Sequence, residues 1–107
     1  MDAESVFEAL AGELAPAGAV AAKMFGAHAI TLRKKAFACL QGEVIALKLG
    51  AGSAAHTTAL ALPGAALWDP SGMDRPFKDW VAVPVTDAAS LSDLAAAALT
   101  FLASSLD

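Results

Sequence analysis

Short runs of alternating apolar and polar residues constrain the middle of this chain more than any other feature. Ile30 and Leu32 alternate with polar neighbours, and Ile45, Leu47 and Leu49 repeat the pattern after a brief interruption. A period of two is typical of strands that bury one face. Because the segments between these runs are too short to hold a crossover helix, we expect neighbouring strands to pair antiparallel.

Two dipeptides mark the reversals between these runs. Lys34-Lys35 follows the first run, and Gln41-Gly42 ends a second strand that contains Phe37 and Cys39. We predict a tight turn at each dipeptide. Gly26 interrupts the segment before the first run, and it predicts a bulge or tight bend inside a single strand.

Helical patterns flank and interrupt these strands. Helices are predicted over residues 2–14, 54–62 and 90–102, and two further strands over Ala65–Trp68 and Trp80–Val83. The order is α-β-β-β-α-β-β-α, which predicts an α+β domain of two layers with a five-stranded, mainly antiparallel sheet. Residues 1–107 are predicted to form one domain. The large side chains expected in its core are Phe7, Phe25, Phe37, Trp68, Phe77, Trp80 and Phe101.

Composition argues against several classes of function. The net charge of −4 opposes the phosphate neutralisation on which general nucleic-acid binders depend, so nucleic acid is not an expected partner. The single cysteine, Cys39, excludes an internal disulfide and indicates a reducing compartment, for which we predict the cytoplasm. No uninterrupted apolar run approaches the roughly 18 residues of a membrane span, so no membrane association is expected.

Taken in order, six short motifs resemble the N-terminal domain of the TfoX/Sxy family, bacterial proteins connected with the regulation of competence. The resemblance spans residues 5–104 and rests on the order and spacing of the motifs. They are Met24-Phe25-Gly26, Phe37-Ala38, Leu47-Lys48, Leu67-Trp68, the strand from Trp80 to Pro84, and the helix from Leu91 to Leu102.

This resemblance implies a fold akin to the secretion chaperones and a role in transcription regulation through a protein partner. The chain departs from the family pattern in two respects. Its 107 residues are too few for the second domain of full competence regulators, and Lys34-Lys35 stands where the hairpin commonly carries a glycine before the lysine. The loop Asp69–Asp79 resembles a variant found in free-standing members of the family.

That loop carries the densest charge in the chain, and loops carry function more often than rigid elements do. We predict an interaction surface there, formed by Asp69, Asp74, Arg75, Lys78 and Trp80. The alternative is a solvated loop with internal ion pairs, each of which contributes little to stability. Trp68 and Trp80 either pack in the core or at its rim, or stack on a ligand.

Arg33, Lys34 and Lys35 form a small basic hairpin that could contact phosphate. A solvated hairpin tip is the default interpretation, and an accessory DNA-binding domain that uses this hairpin is the functional alternative. A third alternative is a pocket for a small ligand between sheet and helices, or under the loop Asp69–Asp79.

The chain lacks the spacing of known catalytic or metal sites. His28, His56 and Cys39 do not have the close spacing of zinc ligands, and Gly50-Ala51-Gly52-Ser53 lacks the lysine of a phosphate-binding loop. We therefore predict no enzyme activity, no metal and no cofactor. The sequence favours a non-catalytic cytoplasmic regulatory or protein-interaction domain, and its apolar composition leaves room for a homodimer.

Overall fold

A computed structural model describes residues 3–24, 27–69, 76–85 and 88–106 of the chain, which form three α-helices and one six-stranded sheet. The strands follow the order β1-β2-β3-β4-β6-β5, and each neighbouring pair is antiparallel. The α+β class and the antiparallel sheet are therefore confirmed. The elements are α1 (Ala3–Leu14), β1 (Val20–Met24), β2 (Ala27–Leu32), β3 (Lys35–Gln41), β4 (Val44–Lys48), α2 (Ala54–Leu60), β5 (Ala66–Trp68), β6 (Phe77–Pro84) and α3 (Ala88–Leu106).

The described sheet has one strand more than the five that were predicted. The segment in which the sequence indicated a single bent strand forms both β1 and β2, which pair from Val20 opposite Thr31 to Met24 opposite Ala27. The two connecting residues, at positions 25 and 26, lie outside the described residues. The pattern concealed β1 because alanine gives a strand no contrast between an apolar and a polar face.

All three helices pack on one face of the sheet, which we call the inner face. On this face, side chains of α1 and α3 pack against the inward side chains of the central strands. The inward residues of β4 and β6 lie opposite each other, Ile45 opposite Val83 and Leu47 opposite Val81. Burial of such aligned apolar side chains is the main favourable contribution to folding. The largest fully buried side chains are Phe37, Ile30, Ile45, Leu47, Leu49, Leu91, Leu102 and Val81.

The turn between β2 and β3 has an unusual backbone for its sequence. Arg33 and Lys34 occupy it with φ angles of 51° and 69°. Two consecutive left-handed residues are typical of the tight hairpin turn that normally selects Asn-Gly. In this region an L-residue with a Cβ costs roughly 1–2 kcal/mol, so this turn holds two basic residues against their own backbone preference.

We expect Lys34→Gly to stabilise the domain by about 0.5–1 kcal/mol, because relief of the left-handed strain exceeds the entropy that glycine loses on folding. Urea denaturation of both proteins measures the difference. Lys35→Gly is the matched control, since Lys35 lies in β3 and is not among the residues with positive φ. An equal response of the two variants would contradict the assignment of strain to the turn.

Candidate functional site

The face of the sheet that points away from the helices, which we call the outer face, is built around a row of small residues. On β3, β4 and β6 the residues between the core positions must face outward, because strand side chains alternate. The pairing aligns these outward residues across all six strands. The row consists of Ala22, Ala29, Cys39, Ala46, Ala82 and Ala66.

Three members of this row are shielded from solvent although they lie outside the hydrophobic core. Ala29, Cys39 and Ala46 are 1%, 6% and 0% exposed, respectively. Among the described residues no helix packs over them, since the helices contribute to the core on the inner face.

Two tryptophans lie on this outer face. Trp80 occupies an outward position of β6, two residues before Ala82, and the ring of Trp68 packs against it with centroids 5.0 Å apart. The indole Nε1–H of Trp68 donates a hydrogen bond of 3.1 Å to Oε1 of Gln41. Since β6 and β4 separate β5 from β3, this bond requires the Trp68 side chain to extend across the sheet. The small residues of the row leave the space that it needs.

Phe77 extends this group toward solvent. Its ring meets Trp68 edge-on, with centroids 5.7 Å apart and an interplanar angle of 81°, and half of the residue is exposed. We call Trp68, Phe77 and Trp80 the aromatic cluster. The prediction that Phe77 would fill the core is wrong, because this residue is half exposed, and Trp68 and Trp80 are half-buried outside the core cluster. Edge-to-face contacts contribute roughly 0.5–1.5 kcal/mol beyond area burial.

The structure divides the predicted interaction surface among different settings. Lys78 belongs to strand β6 rather than to the predicted loop, Trp80 lies in the same strand as predicted, and Asp69 directly follows β5. Asp74 and Arg75 lie outside the described residues. The prediction that all five residues form one surface is therefore untested, whereas the proximity of Trp80 to Trp68 is a geometric fact of the described part.

Asp79, at the end of the predicted loop, has an internal structural role. Its backbone carbonyl accepts hydrogen bonds from the N–H groups of Leu49 and Gly50, at 2.8 and 3.1 Å. Its carboxylate Oδ1 accepts from the N–H of Ala51 at 2.9 Å. This side chain therefore fastens the loop after β4 to the start of β6.

His56 is also engaged in holding the fold together. The side chain is buried, and its ring Nε2 donates to the carbonyl oxygen of Lys78 at 2.8 Å. Its backbone N–H donates to Oγ of Ser53, the residue that caps α2. These bonds tie α2 to β6 and give the buried histidine a structural role.

Cys39 lies in the middle of the small-residue row, and burial raises the pKa of its thiol to about 11. We expect native Cys39 to react with a thiol reagent at pH 8 about 100-fold more slowly than the unfolded chain, because two pKa units lower the thiolate fraction by that factor. Disulfide-exchange kinetics with and without urea measure this ratio. Equal rates would contradict the burial.

The same shift predicts a loss of stability at high pH. The folded state retains its proton more firmly than the unfolded state, whose thiol has a pKa of 9.0. The contribution of Cys39 is therefore constant below pH 9 and turns unfavourable between pH 9 and 11. A Cys39→Ala variant is the control, since it removes this part of the alkaline destabilisation.

The basic hairpin lies at the same end of the sheet as the aromatic cluster. At this end β2 and β4 finish and β3 and β6 begin, and Lys48 pairs directly opposite Trp80. Lys78 lies just beyond this pair, at the start of β6. We call Arg33, Lys34, Lys35, Lys48 and Lys78 the basic end. The sequence predicted two separate sites, the hairpin of residues 33–35 and the loop Asp69–Asp79. The antiparallel register places the hairpin and the start of β6 at the same end of the sheet.

Comparisons with protein-family models, curated proteins and solved structures return no match. The site therefore rests on geometry. Within the described ranges, no group of three metal-ligating side chains is found, and no helix is long and apolar enough to cross a membrane.

Sequence analysis missed two residues of the site. Gln41 was treated only as part of a turn, yet its amide holds Trp68 in place. Lys48 was named only as part of the motif Leu47-Lys48, yet it lies opposite Trp80. A signal for both is the alternation of β3 and β4, which places Gln41 and Lys48 on the same face as Cys39 and Ala46.

Proposed function

We propose that this chain is a non-catalytic regulatory domain that binds a protein partner through the outer face of its sheet, centred on the aromatic cluster. The observation that carries the proposal is the position of Trp68 and Trp80 on a face that no described helix covers. Tryptophan is among the residues that contribute most to binding energy at protein interfaces.

The bond from Trp68 to Gln41 strengthens this proposal, because it fixes the indole before any partner arrives. A side chain that is already held in its binding conformation loses little rotamer freedom on association. The small residues beneath it keep the face flat, which suits contact with another protein.

The proposal includes membership of the TfoX/Sxy N-terminal domains, with a secretion-chaperone-like fold and a cytoplasmic location. Supporting it are the antiparallel sheet, the helices gathered on one face, and the motif order. An unpaired, buried Cys39 is compatible with a reducing compartment. A regulatory role through a protein partner is what this family membership would imply.

Site-specific photocrosslinking in the producing cell tests the interaction. A photoreactive phenylalanine analogue replaces Phe77, which is half exposed beside Trp68. The matched control carries the analogue at Thr100, an exposed position of α3 on the other side of the domain. We expect a discrete protein adduct from position 77 only, and we expect Trp80→Ala to weaken it. The same adducts from both positions, or none from position 77, would refute the proposal.

The alternatives from the sequence stay predictions. An accessory DNA-binding role for Arg33, Lys34 and Lys35 is opposed by the net charge of −4. A small-ligand role and a homodimer likewise await measurement. Sedimentation across a concentration series tests the homodimer, and a monomer at high micromolar concentration would exclude a stable one.

A further inference from the structure

We propose that the partner contributes a short acidic segment, and that this segment docks across the basic end beside the aromatic cluster. This inference rests on the proposed protein-binding function and specifies the chemistry of the partner. The occupant is an extended stretch of polypeptide with several carboxylates and one or two apolar side chains.

The first argument is the distribution of charge. Six lysines and arginines are described, and five of them form the basic end, while Lys23 lies toward the opposite end of the sheet. The helical layer is acidic instead, with exposed carboxylates at Glu4, Glu8 and Asp93. Among the described residues the cations are therefore concentrated at one end, where the described carboxylates are Asp69 and Asp79. An acidic ligand would be steered toward one end only.

The second argument is that the carboxylate of Asp79, at the start of β6, is already occupied. Asp79 accepts the N–H of Ala51, and its carbonyl accepts two further N–H groups from the same loop. The carboxylate oxygen Oδ1 of Asp79 is therefore engaged by the backbone, and a carboxylate-bearing ligand would complement the cations of the basic end.

The third argument is the backbone strain at two of these cations, Arg33 and Lys34. Arg33 and Lys34 occupy a turn whose backbone geometry favours asparagine and glycine. Their side chains are exposed, so packing does not account for their presence. Strain that the fold does not require is found where residues act on a ligand.

A protein segment fits this surface better than nucleic acid does. The acidic helices and the net charge would repel an extended polyanion beyond the immediate contact, whereas a short segment meets only the basic end. Phe77 is an exposed apolar side chain of the aromatic cluster, and it offers a contact for an apolar residue of a peptide. The distance from the turn between β2 and β3 to Trp80 is about 15 Å at the usual strand spacing. An extended peptide of about five or six residues spans this distance.

Fluorescence anisotropy with defined probes tests the inference. The first probe is a labelled six-residue peptide of four aspartates and two leucines, the second is the same peptide with lysine in place of aspartate, and the third is single-stranded oligothymidine. The whole chain is titrated at low salt. We expect the acidic peptide to bind, the basic peptide to show no binding, and added salt to weaken the complex.

Charge reversals locate the site. We expect Lys34→Glu with Lys35→Glu to weaken peptide binding about tenfold, with Lys48→Glu having a similar effect because of its position opposite Trp80. Lys23→Glu is the matched control, since it makes the same kind of change on β1 away from the basic end. Circular dichroism verifies that each variant is folded.

Three outcomes would overturn the inference: no peptide binding by the folded parent, an equal loss for Lys23→Glu, or tighter binding of oligothymidine than of the acidic peptide. The photocrosslinking experiment distinguishes a failure of the acidic-segment inference from a failure of the proposed protein-binding function. If position 77 still yields its adduct in the Lys34→Glu, Lys35→Glu protein, a partner binds the outer face but does not depend on an acidic segment.

Discussion

Gly50→Ala is expected to destabilise the domain by about 3 kcal/mol, which is a large fraction of the usual stability of a small domain. Gly50 has a φ of +87°, which an L-residue adopts at a cost. A Cβ at this position would also lie 2.5 Å from a ring carbon of Phe101 in α3. The loop cannot easily move away from the ring, because its N–H groups at Leu49, Gly50 and Ala51 are bonded to Asp79.

Gly52→Ala is the matched control for this prediction. Gly52 has a similar φ of +82°, but an added Cβ there meets nothing within 4 Å. We expect a loss of about 1 kcal/mol, due to backbone strain alone. Urea denaturation of both variants separates the two causes. Equal losses would show that contact with Phe101 does not limit the position, whereas recovery in Gly50→Ala with Phe101→Leu would confirm that it does.

Phe37→Ala is expected to cost about 4 kcal/mol, the range measured for large aromatic deletions in cores. Phe37 is 0% exposed and heads the set of fully buried side chains. It lies where the pairing of β2 and β3 shifts register, so that Ile30 pairs with Ala38 and Thr31 with Ala36. The cavity left by the ring would therefore form at an irregular point of the sheet, where we expect neighbouring side chains to fill it poorly.

The same deletion at Phe77 provides the comparison. Phe77 is half exposed and its recorded ring contact is with Trp68, so Phe77→Ala should cost about 1 kcal/mol or less. Urea denaturation measures both losses, and the comparison is valid if the unfolding free energy of the two variants depends on urea concentration with the same slope. A loss at Phe77 as large as that at Phe37 would mean that the aromatic cluster stabilises the fold rather than serving a partner.

Much of the fold followed from local pattern. The alternation around Ile45 and Leu47 predicted β4 and its buried face, and the end of α1 at Leu14 follows from Pro16 and Gly18. The order of the elements after β2 agrees with the prediction. In these segments the residues that determine the element are neighbours in sequence, so periodicity alone reveals them.

Other features depend on contacts between distant residues, and pattern could not give them. An alanine-rich strand such as β1 has no polar and apolar sides to distinguish, so its pairing with β2 was missed. The tryptophans were expected to pack as core or rim because large aromatic residues usually do, but the strand register places Trp80 on the outer face. The bond from Trp68 to Gln41 joins residues 27 positions apart, which no local rule predicts.

The outer face also provides a label-free optical reporter. Both tryptophans of the chain belong to the aromatic cluster, so the whole indole emission originates from the proposed binding face. Their rings are close enough for excitation to pass from one to the other. A partner that covers this face or disturbs the bond to Gln41 would therefore change the emission spectrum while the buried core remains optically silent.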